Sequence, residues 1–242
     1  MIRAEHHNPI TTITLDRADK RNALTPEMLD TLCVALGNIP QETRAVVMLG
    51  DGPTFCAGFD LRLCAADPSG ETMRQLLIGL SRCVRAMRAL EQPVVLGIHG
   101  AAVAGGCALL GGADIVVADR RTKLGYPVAK IGVSPAVSAP FLSSAIPDGP
   151  ARARMLDPEL IPAEEALRVG LVHEITDGPI RERALDIARS LAAKPGIGVS
   201  ATKALCNQLT RDRTIRALEG LSASLALTGS DEERDRLAAL WS

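Results

Sequence analysis

A chain of 242 residues can bury a large core, and one domain with an appendage is the natural count. Apolar residues make up 47% of it and aromatics only 2%, so the core must be aliphatic. A formal charge of −1 argues against nucleic-acid binding by bulk electrostatics and leaves only local cations to anchor an anionic ligand.

In chain order, Ile2 to Glu5 and Ile10 to Leu15 read as strands around a His7-Asn8-Pro9 turn. Thr25 before Pro26 marks a helix start, an N-cap followed by a good first helical residue. Met28, Leu29, Leu32 and Leu36 then share one face. A strand over Arg44 to Leu49 is followed by the turn Gly50-Asp51-Gly52-Pro53. A polar loop, Ala65 to Gly70, leads to a helix from Glu71 to about Leu90, with Leu76, Leu77, Leu80, Val84 and Met87 as its apolar stripe. Arg82, Arg85 and Arg88 read as its solvated face. Pro93 to Ile98 and Ile115 to Ala118 are short, apolar and rich in Val and Ile, as buried strands are. A turn forms around Gly132, a short helix starts near Pro135 and stops by Pro147, and another covers Pro162 to Val169 with Gly170 just past its end. Leu171 to Ile175 reads as a strand. From Pro179 onward helical patterns dominate, broken near Lys194-Pro195-Gly196 and Thr228-Gly229-Ser230. Strands alternating with helices, then helices alone, predict an α/β core with a helical C-terminal portion.

Six cysteines, Cys33, Cys56, Cys64, Cys83, Cys107 and Cys206, contain no C-x-x-C pair and read as free thiols in a reducing cytosol. The histidines His6, His7, His99 and His173 have no metal-ligand spacing, so no metal is expected, and His99 reads as a core histidine. No basic-then-apolar leader is read at the start. The longest apolar run is interrupted by glycines, His99 and Asp114, so it reads as core and not as a membrane span.

That run, Pro93 to Asp119, organises the chain. Between its two strands lie Gly97, Gly100, Gly105, Gly106, Gly111 and Gly112, and apolar residues resume at Cys107 to Leu110 as a short buried helix. A strand, a glycine turn and a helix start leave free N–H groups converging on one spot, which suits negative charge. Gly100 to Gly105 has phosphate-loop spacing, but Gly106-Cys107 follows where Lys and Ser/Thr would be needed, and no Gly-x-Gly-x-x-Gly is present. A developing oxyanion on a carbonyl fits better. Tight helix–sheet packing alone would also account for the glycines.

Three motifs in order, Leu15-Asp16-Arg17-Ala18-Asp19-Lys20-Arg21-Asn22-Ala23-Leu24, Phe55-Cys56-Ala57-Gly58-Phe59-Asp60-Leu61 and Ala104-Gly105-Gly106-Cys107, resemble the crotonase superfamily, the enoyl-CoA hydratase/isomerase family. The likeness runs from about Thr12 to about Thr210. It implies an α/β crotonase-like spiral of ββα units over residues 1–190 and a C-terminal helical trimerisation region over 191–242. It implies a homotrimer, or a hexamer of two trimers, acting on an acyl-CoA thioester in the cytoplasm. No nucleic acid, membrane or cofactor beyond the coenzyme A moiety is expected.

By motif position the resemblance assigns the oxyanion hole to the backbone N–H groups of Phe59 and Gly105, where a thioester oxygen becomes an enolate. The Phe59 ring then lines the acyl pocket or packs in the core. Around Lys20, Arg21, Ala23 and Leu24 the family binds pantetheine and phosphates; around Ala57, Asp60 and Leu61 it binds adenine and the thiol arm. Lys20 and Arg21 are otherwise ordinary surface charges, and Asp60 can cap a helix. Gly106, Tyr126, Pro127, Ile131 and Gly132 complete the implied substrate contacts. The two glutamates with which family hydratases add water are replaced by Ala108 and Val128, and neither can transfer a proton. Tyr126, Ser134, Ser138, Cys64 and Arg62 stand near enough in sequence to be substitutes, without a spacing that makes any of them a base. Enolate chemistry without that pair, such as decarboxylation of a malonyl-type thioester, and a non-catalytic acyl-CoA binder both remain open.

Overall fold

A computed structural model of the chain describes residues 1–157, 159–209 and 211–240. Pro158, Thr210, Trp241 and Ser242 lie outside the described residues. The strands are β1 (Ile2–His7), β2 (Ile10–Leu15), β3 (Ala45–Gly50), β4 (Val94–Ile98), β5 (Ala101–Val103), β6 (Ile115–Asp119), β7 (Lys123–Gly125), β8 (Ile161–Pro162) and β9 (Glu174–Thr176). The helices are α1 (Pro26–Gly37), α2 (Leu61–Ala65), α3 (Glu71–Ala89), α4 (Gly105–Ala108), α5 (Ala139–Ala145), α6 (Asp148–Leu156), α7 (Ala163–Val169), α8 (Ile180–Ala192), α9 (Gly196–Leu209), α10 (Arg211–Leu225) and α11 (Asp231–Ala238).

One sheet has the order β1-β2-β3-β4-β6-β9 and the other β5-β7-β8. Beyond the β1–β2 hairpin the large sheet is parallel. Each turn of chain puts a first strand in the large sheet and a second in the small one. Thus β4 is followed by β5 and α4, and β6 by β7 and a 3-10 turn at Pro127–Ile131. After β3 the second strand shrinks to a single bridge, Cys56 paired with Ala102 of β5. A parallel sheet must be covered on both faces. On β3, Val46 and Met48 face the main core, while Ala45, Val47 and Leu49 face α8. Helix α8 presents Ala184, Ala188 and Ala192, so it lies close: a Cβ on Gly97 would meet Leu49 Cδ2 at 2.7 Å and Ala184 Cβ at 3.0 Å.

The predicted helix start at Thr25 is found, with Thr25 Oγ1 accepting the Met28 N–H at 3.2 Å. Every residue of the two predicted apolar stripes, on α1 and on α3, is buried. Helix α6 was not anticipated; its Gly149 and Pro150 look like loop residues, but Pro is tolerated in the first turn of a helix. The expected strand over Leu171 to Ile175 begins only at Glu174, because the Leu171 and Val172 N–H groups turn back to the Ala166 carbonyl.

The arginine face of α3 also needs correction. Arg82 is exposed, but Arg85 is half-buried with its Nε unpartnered among the described residues, and Arg88 is drawn inward. Arg88 Nε donates to the Gly111 carbonyl at 2.7 Å, and its guanidinium sits 5.6 Å from the Phe141 ring centroid. Burial lowers its pKa, with Asp114 opposing. The cause is tertiary: Gly111, Phe141 of α5 and Cys206 of α9 close around Arg88, a flank that periodicity along α3 could not foresee. His99 is half-buried, not enclosed, and its Nε2 lies 2.8 Å from the Gly52 carbonyl.

Helix α9 is anchored by a buried lysine. Lys203 Nζ donates to the carbonyls of Met87 (3.1 Å) and Gln92 (2.8 Å) and to Asp114 Oδ2 (2.8 Å). Asp114 Oδ2 also accepts the Val94 N–H at 2.7 Å, so it holds β4 as well as α9. Helix α11 opens on reciprocal side-chain caps: Ser230 Oγ accepts the Glu233 N–H, and Glu233 Oε2 accepts the N–H of Gly229, the residue before the N-cap. It packs against α2 and the Pro127–Ile131 turn.

Candidate active site

The first wall of the site is a loop pinned by a buried amide. Asn22 is fully buried. Its Oδ1 accepts the Arg17 N–H at 2.8 Å, and its Nδ2 donates to the carbonyls of Asp51 and Thr54, both at 2.8 Å. Arg21 (φ 53°) and Asn22 (φ 55°) are both left-handed, a conformation Asn tolerates better than Arg. The loop then runs beside the second motif: the Ala57 N–H donates to the Arg21 carbonyl (3.0 Å), the Leu24 N–H to Gly58 (2.7 Å), and the Asp60 N–H to Leu24 (2.9 Å). Asn22→Ala would take this partner from the Arg17 N–H and from the carbonyls of Asp51, Thr54 and Phe55, at about 1–3 kcal/mol for each group left buried. A fall of about 3 kcal/mol or more in unfolding free energy is expected from urea titration. An unchanged midpoint would mean that the loop holds without this side chain.

Asp60 does not cap α2; no side-chain cap bond is formed there. Its Oδ2 accepts from Arg17 Nη1 at 2.8 Å, and that same nitrogen donates to the Ala23 carbonyl at 2.9 Å. Arg17 therefore clamps the first motif to the second. Neither Asn22 nor Arg17 was singled out from the sequence. The signal available was an Arg and an Asn at fixed distance from a Gly-containing motif, and it becomes meaningful only once the loops pair.

The second wall is the glycine turn. Ala104 has φ 50° and ψ −111°, a sparsely populated conformation for a residue with a side chain. It is held by its N–H on the Gly125 carbonyl (2.8 Å) and by its carbonyl on the Ala108 N–H (2.9 Å). Helix α4 then starts at Gly105. Among the described residues no acceptor takes the N–H of Gly105 or of Phe59. The two strands of the site touch: a Cβ on Gly58 would lie 3.7 Å from Gly105 N, and a Cβ on Gly105 would lie 2.9 Å from Phe59 Cε1. A side chain at 105 would therefore press on the Phe59 ring. Gly106 turns the other way, toward Cys56.

Between these walls is a cavity of about 120 Å³. It brings together Ala57, Phe59, Leu61, Gly105, Ala108, Tyr126, Pro127, Val128 and Ile131, nine of the positions singled out in the sequence. Met73, Leu77 and Leu80 of α3 form its far side. Lys20, Arg21, Ala23, Leu24, Asp60, Gly106 and Gly132 do not line it. Leu24 backs it, 3.4 Å from where a Gly105 Cβ would stand, and Gly132 faces α11. Lys20, Arg21 and Arg62 are exposed. Among the described residues their side chains make no ion pair or hydrogen bond.

Ala108 and Val128, on consecutive turns of the fold, line the same cavity. Among the described residues no carboxylate, imidazole or ammonium lines it with them; the polar side chains there are Tyr126, Ser134 and Ser138. Tyr126 is buried, and its hydroxyl donates to the Cys107 carbonyl at 3.3 Å. Burial raises its pKa well above the usual phenol value, so it stays protonated and can donate but not accept a proton. Ser138 Oγ donates to the Pro135 carbonyl. Cys64 does not reach the cavity; it lies beside Asp67 and Glu233, and burial pushes its thiol up to about 12.

A family model described as enoyl-CoA hydratase/isomerase matches residues 5–236. The chain is 33% identical over 195 residues to enoyl-CoA hydratase EchA19 of Mycobacterium tuberculosis, spanning 78% of this chain and 73% of that protein. It is 30% identical over 234 residues to the 1,2-epoxyphenylacetyl-CoA isomerase of Escherichia coli, spanning 88% of each. The solved structure of an enoyl-CoA hydratase from Bacillus halodurans superposes with a TM-score of 0.89 at 27% identity, over 98% of this chain and 99% of that one. An enoyl-CoA hydratase/isomerase from Xanthobacter autotrophicus Py2 also superposes at 0.89, with 29% identity over 99% and 96%.

Proposed function

This chain belongs to the enoyl-CoA hydratase/isomerase family and has its crotonase fold, and on that premise we propose that it holds a CoA thioester enolate between the N–H groups of Phe59 and Gly105. As a family member it is an acyl-CoA-processing enzyme of the hydratase/isomerase kind. A thioester α-carbanion forms only if its charge moves to oxygen, and two preorganised donors stabilise that oxygen. The observation that carries the reading is a pair of unengaged N–H groups at the wall of an apolar cavity. The exposed cations Lys20, Arg21 and Arg62 support placement of the CoA phosphates outside the cavity mouth. No cofactor beyond coenzyme A enters the reaction.

The reaction that best suits this cavity is loss of CO₂ from a malonyl-type thioester. The bond to the carboxylate breaks, its electron pair passes to the enolate oxygen, and no side chain has to take a proton. An apolar wall also disfavours the bound carboxylate relative to departing CO₂. Solvent then protonates the α-carbon. Hydration would need two acid–base groups where Ala108 and Val128 stand. A second reading, acyl-CoA binding without turnover, is favoured by the same lack of a titratable group that could serve as a base.

A homotrimer or a hexamer of two trimers is part of the proposal, supported by exposed Ile197, Leu205 and Leu209 along α9. No helix among the described residues is long and apolar enough to cross a membrane, and we place the protein in the cytoplasm.

The test is mass spectrometry of enoyl-, 3-hydroxyacyl- and malonyl-type CoA esters incubated with the protein in D₂O. Loss of CO₂ with one deuterium gained at the α-carbon is the expected result. Gain of water by the enoyl ester would overturn the decarboxylase reading. Binding with no mass change across the panel would favour the non-catalytic one.

A further inference from the structure

Away from the cavity, α1 and α3 approach each other unusually closely. A Cβ on Gly79 would meet Leu29 Cβ at 2.9 Å. One turn further along each helix stand Cys33 and Cys83, with their Sγ atoms 3.0 Å apart. Cys83 Sγ is also 3.3 Å from the Leu29 carbonyl, which fixes its rotamer toward α1. Cys33 is half-exposed and Cys83 buried. Arg82, paired with Asp30 at 3.1 Å, and the half-buried Arg85 stand beside Cys33. Among the described residues Arg85 Nε has no partner. We propose that Cys33 and Cys83 are a redox-active dithiol that closes to an intramolecular disulfide between α1 and α3.

The geometry divides the labour. A disulfide is about 2.05 Å long, so the pair must close by about 1 Å. The hydrogen bond with Cys83 lowers the pKa of Cys33, Arg82 and Arg85 add to it, and burial and Asp30 oppose it. The more accessible sulfur is therefore the one that carries thiolate character, as an attacking cysteine must. The buried Cys83 thiol is held up by its bond to Cys33 and by desolvation, so it reacts second. With a low-molecular-weight disulfide as oxidant, the Cys33 thiolate attacks one of its sulfurs and expels the other as thiol. Cys83 then attacks Cys33 Sγ and expels the second thiol. Two protein thiols become one disulfide, and the oxidant takes up two electrons and two protons. The cross-link would fix to α1 the helix whose Met73, Leu77 and Leu80 wall the acyl cavity.

The intact protein is equilibrated across a series of reduced-to-oxidised glutathione ratios, quenched with an alkylating agent, digested and analysed by mass spectrometry. A peptide pair joined through Cys33 and Cys83, two hydrogens lighter than the reduced pair and reversed by dithiothreitol, is the expected product. Exposed Cys206 is an internal control that takes up glutathione without pairing. In Cys83→Ser, glutathione is expected to accumulate on Cys33 and stay there. Should that variant fail to fold, the wild-type result decides alone. Two outcomes overturn the proposal: both thiols alkylated at every ratio, or wild-type Cys33 stopping as its glutathione mixed disulfide.

Discussion

Gly105→Pro is expected to lose about 10²–10³ of turnover on the active CoA ester, the usual cost of one oxyanion donor. Proline removes the N–H and is otherwise suited to the first position of a helix, which Gly105 occupies in α4. Its ring also brings a Cβ to within 2.9 Å of Phe59 Cε1, so the substitution does two things at once. Gly105→Ala separates them: it adds the same Cβ but keeps the donor. The expected pattern is a modest loss for alanine, through a displaced Phe59 ring, and the full loss for proline. Ala104, already at φ 50°, precedes the new ring, so thermal melting should accompany the kinetics. Equal losses in two folded variants would assign the effect to Phe59 and remove Gly105 from the hole.

Introducing glutamates should create hydration where none is expected. Ala108 and Val128 face one cavity from two separate turns of the spiral. A positioned acid or base contributes about 10²–10⁴ in rate, so Ala108→Glu with Val128→Glu should convert an enoyl-CoA ester to its 3-hydroxyacyl product by that order per group. The lining is apolar, so burial should raise the pKa of both new carboxyls. One would then act as acid while the other, once ionised, acts as base. Each single variant should show little hydration, since water addition needs both roles. A folded double variant that binds the ester yet releases no 3-hydroxyacyl-CoA would show that the cavity does not present a substrate double bond to these two positions.

Much of this was legible in the sequence. Thr25 and Pro26 cap a helix because the relevant contacts lie within three residues. The stripes of α1 and α3 follow from 3.6-residue periodicity, and the strands of the parallel sheet from short Val- and Ile-rich runs. The glycine turn at Gly105 could be read because glycine is favoured where backbone passes close to another chain segment, here the Phe59 ring. That neither Ala108 nor Val128 can transfer a proton was visible too, since it follows from residue identity alone.

Other features were decided only by tertiary packing. Asn22 is an ordinary loop residue until it is enclosed by the carbonyls of Asp51 and Thr54, some thirty residues on. Asp60 could cap a helix by its place in the chain, yet Arg17 holds it. Arg88 looks solvated from α3 alone and is drawn inward only when Gly111, α5 and α9 close that flank. Cys33 and Cys83 contain no motif, and their sulfurs meet because Gly79 lets two helices cross closely. The physical reason is range. Propensity, capping and periodicity act over a few residues, whereas the partner of a buried amide, a guanidinium or a thiol is chosen by whichever distant segment the packed core brings against it.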